Sequence, residues 1–573
     1  MTSNIKGAKI FVDTLLEEGV TDIFGYPGGS VLDTYDELYK TKKLKHYLVR
    51  HEQGAAHAAD GYARSSGKVG VCLATSGPGA TNLVTGIATA NIDSIPMVAF
   101  TGQVGTAAIG TDAFQEADMV GITQPITKHN FLVKDVKDLY ITIKQAFHIA
   151  RTGRPGPVLV DIPKDVTQKT TAVKKIKEVD IPSYKPNYKG NIKQIKDALK
   201  LIESAKKPVI LAGGGIIAGN ANKELKQFAE ATKTPVACTL MGLGAFPDTH
   251  KLSLKMPGMH GTAYANLAIY ESDLLISIGM RFDDRITGKL SEFGKNAKVI
   301  HIDIDPAEIG KCIPVNIPIV GDSKSVLLDA LNEIKKGSYK FDANKKDWLN
   351  KISGLKKEYA LSYIKSDSII KPQFVVQQIN KLIDKNTIIT TEVGENQMWA
   401  AQYIDYDRPR MLCSSGGLGT MGYGFPAAIG AQVANPKSLV IDIAGDGSIQ
   451  MNIQELSTAM YYKLPIKIVI LNNQNLGMVR QWQELFYGER YSHTDLEGMQ
   501  PDFVKLADAY GALGLRCTKP ADVKKTLEKG FKHNGPVIMD FRVARNENIY
   551  PMVPSGGVLN KMILDEQKSG GFF

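Results

Sequence analysis

Cysteine is scarce in this sequence: five residues in 573, at Cys72, Cys238, Cys312, Cys413 and Cys517. They stand far apart and form neither a CxxC pair nor a disulfide framework, so reduced core residues are expected. No run of about 18 apolar residues occurs, which excludes a helix that spans a membrane. The opening stretch MTSNIKGAKIFVDTLLEEGV lacks both an apolar signal core and an Arg/Ser-rich transit segment, and a cytoplasmic protein is expected. Short-period repeats are absent too. The net charge of +10 is spread over lysines, as in KGNIKQIKDALKLIESAKK and NKKDWLNKISGLKKEY. Those lysines alternate with apolar residues at helical spacing, the pattern of a solvated helix face. No recognition motif accompanies the charge, so nucleic acid is not an expected partner.

What is present fits a multi-domain globular chain: 43% of residues are hydrophobic and 22% charged. At about 150 residues per domain the length allows three or four domains. Residues 1–165 alternate apolar strands with helical patterns; VGVCLATSGPGATNLVTGIATANIDSIPMVAFTG reads as strand, glycine turn, helix, strand, a βαβ unit. The lysine-rich stretch 166–189, with Pro182 and Pro186, reads as a linker. Residues 190–335 carry KPVILAGGGIIAGN, SDLLISIGMRF and KVIHIDIDP and form a second block. A second linker is expected over 336–369, a third block over 370–548 and a tail over 549–573. All three blocks predict the same α/β class, doubly wound parallel sheets.

The stretch SLVIDIAGDGSIQ, residues 438–450, ends an apolar strand in one carboxylate, Asp446, between Gly445 and Gly447. A helical pattern follows, and then PIKIVILNN, a second buried strand ending in Asn472 and Asn473. A right-handed crossover makes the two strands parallel, placing Asp446 and Asn473 at one carboxyl edge, where open α/β sheets bind ligands. One carboxylate and one amide oxygen cage a metal poorly by themselves. They suit Mg²⁺ that takes its other oxygens from a diphosphate, water and a backbone carbonyl. Glycine-flanked amides and the following helix start can receive phosphate oxygens. Alone, GDG is a turn and NN a cap; together at this spacing they point to a diphosphate cofactor.

GDGS followed by ILNN resembles the thiamine diphosphate motif. The stretches FGYPGGSVLDTYD, RHEQGAAHAADGYAR, TSGPGATN, GTDAFQE, RPGPVLVDIPKDVT, GMRFDDRITG, GLGTMGYGFPAAIGA, GMVRQWQELF and PMVPSGG resemble, in order and over essentially the whole chain, the large catalytic subunits of acetohydroxyacid synthase (acetolactate synthase). The resemblance implies thiamine diphosphate, Mg²⁺ and FAD as cofactors, pyruvate and 2-ketobutyrate as substrates, and a small regulatory subunit as partner. The implied reaction decarboxylates pyruvate and joins the hydroxyethyl unit to a second 2-keto acid. The product is 2-acetolactate or 2-aceto-2-hydroxybutyrate, for valine, leucine and isoleucine biosynthesis. It further implies a homodimer or homotetramer in which one cofactor bridges Glu52 of one chain and Asp446 of another.

By the same resemblance Glu52 of RHEQG is the carboxylate on the aminopyrimidine ring, Gly29 a backbone contact to it and Met421 the prop that keeps the cofactor bent. Gly445, Asp446 and Gly447 hold the diphosphate end, and Asp446, Asn473 and the main-chain carbonyl of Asn475 are the metal ligands. Phe114, Gln115, Lys164 and Arg285 match the substrate channel, and Trp482 matches an aromatic residue that favours 2-ketobutyrate. Arg154, Gly213, Gly214, His260, Gly261, Arg281, Asp303 and Asp322 match flavin-contacting positions. The net reaction is not a redox reaction, so FAD is expected to be structural. Two other readings stay open on sequence: a pyruvate oxidase-like enzyme with redox-active flavin, and a catalytically silent cofactor-binding protein.

Overall fold

The strands that organise the molecule are short β-branched runs such as KIVILN and PVILA, buried on both faces, the composition that central parallel strands require. The computed structural model describes residues 4–337, 339–341 and 345–565, so residues 566–573 of the expected tail lie outside the described residues. The first sheet takes its strands, in chain order, from Asp22–Gly25, Lys45–Leu48, Gly70–Ala74, Met97–Gln103, His129–Leu132 and Pro157–Pro163. They lie side by side in the order 2-1-3-4-6-5, all parallel. The third sheet, from Ile388–Thr391, Leu412–Cys413, Val440–Gly445, Lys467–Asn472, Leu513–Cys517 and Val537–Arg542, repeats that order and polarity. Between them a five-stranded parallel sheet runs 2-1-3-4-5 through Pro208–Ala212, Val236–Cys238, Leu274–Ile278, Lys298–Asp303 and Ile317–Val320. Helices connect the strands, and the architecture is the α/β plan of three doubly wound parallel sheets.

Two stretches outside the sheets pack closely on the middle domain. Within 336–369 a helix, Lys346–Glu358, buries Trp348 and Ile352, and the indole Nε1 of Trp348 donates to the Pro208 carbonyl at 3.2 Å. The tail bridges Met552 to Ile563 and buries Val553, Leu559 and Met562 in one apolar cluster with Phe282 and Ile286. Four cysteines are buried as expected; Cys312 is exposed, because it sits in the loop after strand Lys298–Asp303 rather than in a sheet.

The first and third domains meet through two helices rich in small residues, Glu52–Ser66 (EQGAAHAADGYARSS) and Gly424–Ala434 (GFPAAIGAQVA). Their backbones touch where side chains are missing: a Cβ on Gly430 would stand 1.7 Å from the Ala58 carbonyl oxygen, and one on Gly61 2.1 Å from that of Ala427. No side chain fits there. Gly430→Ala is therefore expected to destabilise the fold by about 1–3 kcal/mol or more, the cost of overpacking against backbone. Differential scanning calorimetry of the full chain reads this as a lowered transition temperature; an unchanged one means the helices separate without cost.

Candidate active site

The carboxyl edge of the first sheet gathers most residues expected near a substrate. Glu52 is buried at the first position of its helix, where a negative charge is favoured, and His51 caps that helix with Nδ1 accepting from Gln53 N at 3.1 Å. Asn82 Nδ2 donates to Glu52 Oε2 at 2.9 Å, and Oε1 lies 3.2 Å from where a Cβ on Gly79 would stand. The segment TSGPG thus forms the floor under Glu52. The same floor holds the Gly29 turn, since Ser30 Oγ and Thr75 Oγ1 are 2.9 Å apart and Ser76 N donates to Ser30 Oγ. A Cβ on Gly29 would meet no atom within 4 Å, so its backbone faces open space. Gln115 adopts φ +61° and rests on Gly77, while Phe114 beside it is 89% exposed. Lys164 starts the helix after strand Pro157–Pro163, and Gln103 pairs with Pro163, which brings Lys164 to this edge as well.

At the third sheet, Gly445 pairs with Leu471, so Asp446 and Asn473 fall one and two residues beyond a paired row. Asp446 is 1% exposed and burial pushes its carboxyl up to about 7. Its side-chain partner is Gln500, whose Nε2 donates to Oδ2 and whose Oε1 is buried without a partner among the described residues. Asn473 Oδ1 accepts from Asn475 N at 3.1 Å, and Asn473 Nδ2 donates to Glu395 Oε2 at 2.9 Å. Gly447 begins the helical turn that follows Asp446. Met421 is half-buried in a loop, Ser414–Tyr423, that leads into helix Gly424–Ala434.

Matches with known families cover all three domains. Residues 5–122 match the thiamine pyrophosphate enzyme, N-terminal TPP binding domain; residues 195–331 match its central domain; residues 392–541 match its C-terminal TPP binding domain. The acetolactate synthase large subunit of Cyanidium caldarium is 51% identical over 565 residues, 97% of this chain and 96% of its own length. That of Haemophilus influenzae is 48% identical over 565 residues, 98% of each chain. The acetolactate synthase of Mycobacterium leprae is 52% identical over 557 residues, 96% of this chain and 89% of its own. The chain belongs to the acetolactate synthase family of thiamine pyrophosphate enzymes.

The residues present fit the cofactors of such an enzyme. Among the described residues no cluster of three or more His, Cys, Asp or Glu side chains could hold a metal unaided. Asp446 is a buried carboxylate without a cationic partner among those residues, and with the oxygens of Asn473 and Asn475 it makes a hard donor set that a divalent ion bound to a diphosphate would complete. In the middle sheet Ala212, Ile278, Ile302 and Ile319 form one row, so Gly213, Arg281 and Asp303 leave the same carboxyl edge. Gly213 owes its lack of a side chain to packing, for its Cβ would stand 2.1 Å from the Gly279 carbonyl oxygen; at Gly214 the nearest atom is Met241 Cβ at 3.4 Å. Gly261 is likewise a packing glycine against Pro257. Asp322 caps helix Ser323–Lys336 through Ser325 N at 3.0 Å, and burial raises the Asp303 carboxyl to about 6. His260 is buried with Nδ1 unpartnered among the described residues, and burial lowers its pKa to about 4, so a neutral ring nitrogen is left for a bound group to satisfy.

The other two expected substrate contacts follow the middle and third sheets: the Arg285 carbonyl accepts from Met259 N at 2.7 Å, next to His260, and Trp482 lies on helix Gly477–Phe486 after strand Lys467–Asn472. Arg285 is exposed next to Asp284, and Trp482 lines a cleft of about 710 Å³ with Met478, Val479, Gln483, Tyr487 and Arg490. Sequence reading missed Glu395, Gln500 and Glu455. Glu395 is held by Arg480 and Asn473 and raised by burial to about 8; at the start of helix Glu395–Tyr403 it reads as an ordinary helix-start carboxylate. Glu455 Oε1 accepts from Arg50 N and His51 N, both at 3.0 Å, and so ties the Glu52 turn to the third domain.

Burial raises the Glu455 carboxyl to about 7, so the native chain binds its proton more tightly than the unfolded chain, where a glutamate titrates near 4.3. Its stabilising contribution is complete below about pH 4 and is lost as pH rises through about 7. Glu455→Gln keeps an acceptor for both amides and removes the titration. The variant is expected to gain about 1–3 kcal/mol on wild type between about pH 5 and pH 8. Thermal melts across that range decide it, and a pH-independent difference contradicts it.

Proposed function

We propose that this chain is the catalytic subunit of an acetolactate synthase, taking pyruvate as the donor and pyruvate or 2-ketobutyrate as the acceptor. The observation that carries the reading is Asp446, a buried carboxylate beside Asn473 at a sheet edge inside the matched TPP binding domain. Bound thiamine pyrophosphate supplies the carbon nucleophile and electron sink for decarboxylation and transfer of the two-carbon unit. The chain's own residues supply the rest. Asn82 fixes one carboxylate oxygen of Glu52, and we assign the other to hold and pass the proton of the aminopyrimidine ring. Gly29 offers open backbone to that ring, and Met421 supports it from the third domain. Asp446, Asn473 and Asn475 would hold Mg²⁺, with the turn at Gly445 and Gly447 receiving the diphosphate.

FAD would lie along the carboxyl edge of the middle sheet, which Gly213, Arg281 and Asp303 leave, with Gly214, Asp322, His260 and Arg154 as further contacts, and its role there is structural because the net reaction moves no electrons to or from an external partner. Gln115 and Lys164 share the Glu52 edge, and the apolar wall of Met478, Val479 and Trp482 suits the extra methylene of 2-ketobutyrate. Phe114 at 89%, Met451 at 52% and Leu418 at 47% are exposed beside site residues, and a second copy covering them would complete the cofactor site. Relatives named large subunits support a smaller partner chain. Unpaired cysteines throughout fit the cytoplasm. Among the described residues no helix is long and apolar enough to cross a membrane.

Purified chain is expected to form acetolactate from pyruvate only with thiamine pyrophosphate and a divalent ion present, and Glu52→Gln to lose about 100-fold or more in kcat. Trp482→Leu is expected to shrink 2-ketobutyrate preference about 10-fold in competition, within the 1–3 kcal/mol a methylene pocket provides. Pyruvate consumed to acetate with bleaching of flavin would replace this reading with the oxidase one.

A further inference from the structure

The loop Ser414–Tyr423 that carries Met421 is anchored at both ends by buried carboxylates from different domains. From below, Glu392 of the third domain accepts from Gly422 N at 2.7 Å and Phe425 N at 3.0 Å. From the side, Asp93 of the first domain accepts from Gly416 N at 3.0 Å and Gly417 N at 2.8 Å. Asp93 is in turn held by Arg64 Nη2 at 2.8 Å, in a pair whose side chains are 4% and 1% exposed. Arg64 also binds Asp60 at 2.5 Å, and Tyr423 at the far end of the loop donates to the same Asp60 oxygen at 2.6 Å. Thr89 and Thr420, next to Met421, face each other at 2.8 Å.

The loop's own backbone cannot hold this shape. It contains four glycines, with Gly419 at φ +71° and Gly422 at φ +84°, so its conformation is imposed by its partners. The room is tight: a Cβ on Gly417 would stand 2.9 Å from Asp93 Oδ1, and one on Gly416 2.4 Å from Met241 Sδ of the middle domain. Charged acceptors on backbone amides in a buried setting are among the stronger hydrogen bonds available to a protein, and they are lost together when the carboxylate goes.

We propose that Asp93, oriented by Arg64, is a positioning residue for Met421: it clamps the loop from the first domain so that the thioether is set before thiamine pyrophosphate binds. This rests on the assignment of Met421 to the cofactor. The consequence is that docking of the first domain on the third within one chain prepares the site, and the affinity for the cofactor reports that docking.

The test uses the full chain, thiamine pyrophosphate with Mg²⁺, and Kd from isothermal titration calorimetry, beside hydrogen exchange of the cofactor-free loop. Asp93→Asn is expected to speed exchange at residues 414–423 and to weaken cofactor binding about tenfold, and Thr420→Val to act in the same direction with a smaller effect. Against a Met421→Ala background both losses are expected to shrink towards nothing, because the clamp acts through that side chain. A purely structural Asp93 would lower stability but give losses that add to that of Met421→Ala, and additive losses overturn the proposal. If Asp93→Asn does not fold, the same double-mutant cycle run with Thr420→Val decides between coupled and additive losses. Met421→Ala leaving Kd unchanged would overturn the cofactor assignment and the proposal with it. Met421→Ala weakening Kd while both clamp variants bind normally overturns the clamp alone.

Discussion

The close approach of helices Glu52–Ser66 and Gly424–Ala434 is the contact on which the rest of the site depends. Its closest points, Gly61 against Ala427 and Gly430 against Ala58, bring backbone to backbone, so the two helices have one separation and very little freedom to slide. Each helix begins at or next to a residue of the proposed site. The first starts with Glu52, and the second starts directly after the Met421 loop. Fixing the helices therefore fixes the acid of the first domain and the loop of the third in one frame, with Glu455 and the Asp60, Arg64, Asp93 and Tyr423 cluster pinning the flanks.

Buried carboxylates around this frame divide by what satisfies them. Asp60 and Asp93 have Arg64, a compensated charge that is costly to break but not a source of reactivity. Glu392 and Asp442 lie together without a cation among the described residues. Burial raises Asp442 far above the ordinary carboxylate range, and Glu392, raised by burial to about 7, receives the backbone amides. Asp446 is four residues further along the same strand and turn, equally buried, with one side-chain amide as its partner and no carboxylate in contact to share a proton with. It alone of these has an environment that a divalent ion would complete, which supports the proposal of a metal there rather than at the acid pair below it.

The fold class and the two strand ends that carry Asp446 and Asn473 were legible because they rest on local signals: β-branched runs, glycine turns and a spacing that admits one crossover. The residues that hold those parts in place were not legible. Asp93 looks like a helix-end aspartate in ANIDSIP, and its partners Gly416 and Gly417 lie more than 320 positions away. Glu395, Gln500 and Glu455 matter through contacts that no periodicity encodes. The glycine run was legible only as a turn: Gly213 and Gly215 lack side chains because Gly279 crosses them, and Gly214 alone has room. The helix over Lys346–Glu358 was legible in its lysines at helical spacing, but the partner of its other face, where Trp348 and Ile352 are buried, was not.

Arg154 serves the scaffold with part of its guanidinium and keeps the rest free. Its guanidinium has five N–H donors in a fixed fork. Nε binds Ser94 Oγ at 2.8 Å and Nη1 binds Asp305 at 3.2 Å and Glu308 at 2.8 Å, which latches the first domain to the middle one. Nη2 has no hydrogen-bond partner among the described residues, so one edge of the fork stays open. A lysine there could make the ion pairs but would have no second edge to offer. The latch between the first and middle domains therefore suits arginine, whose fork makes all three contacts and still keeps free donors.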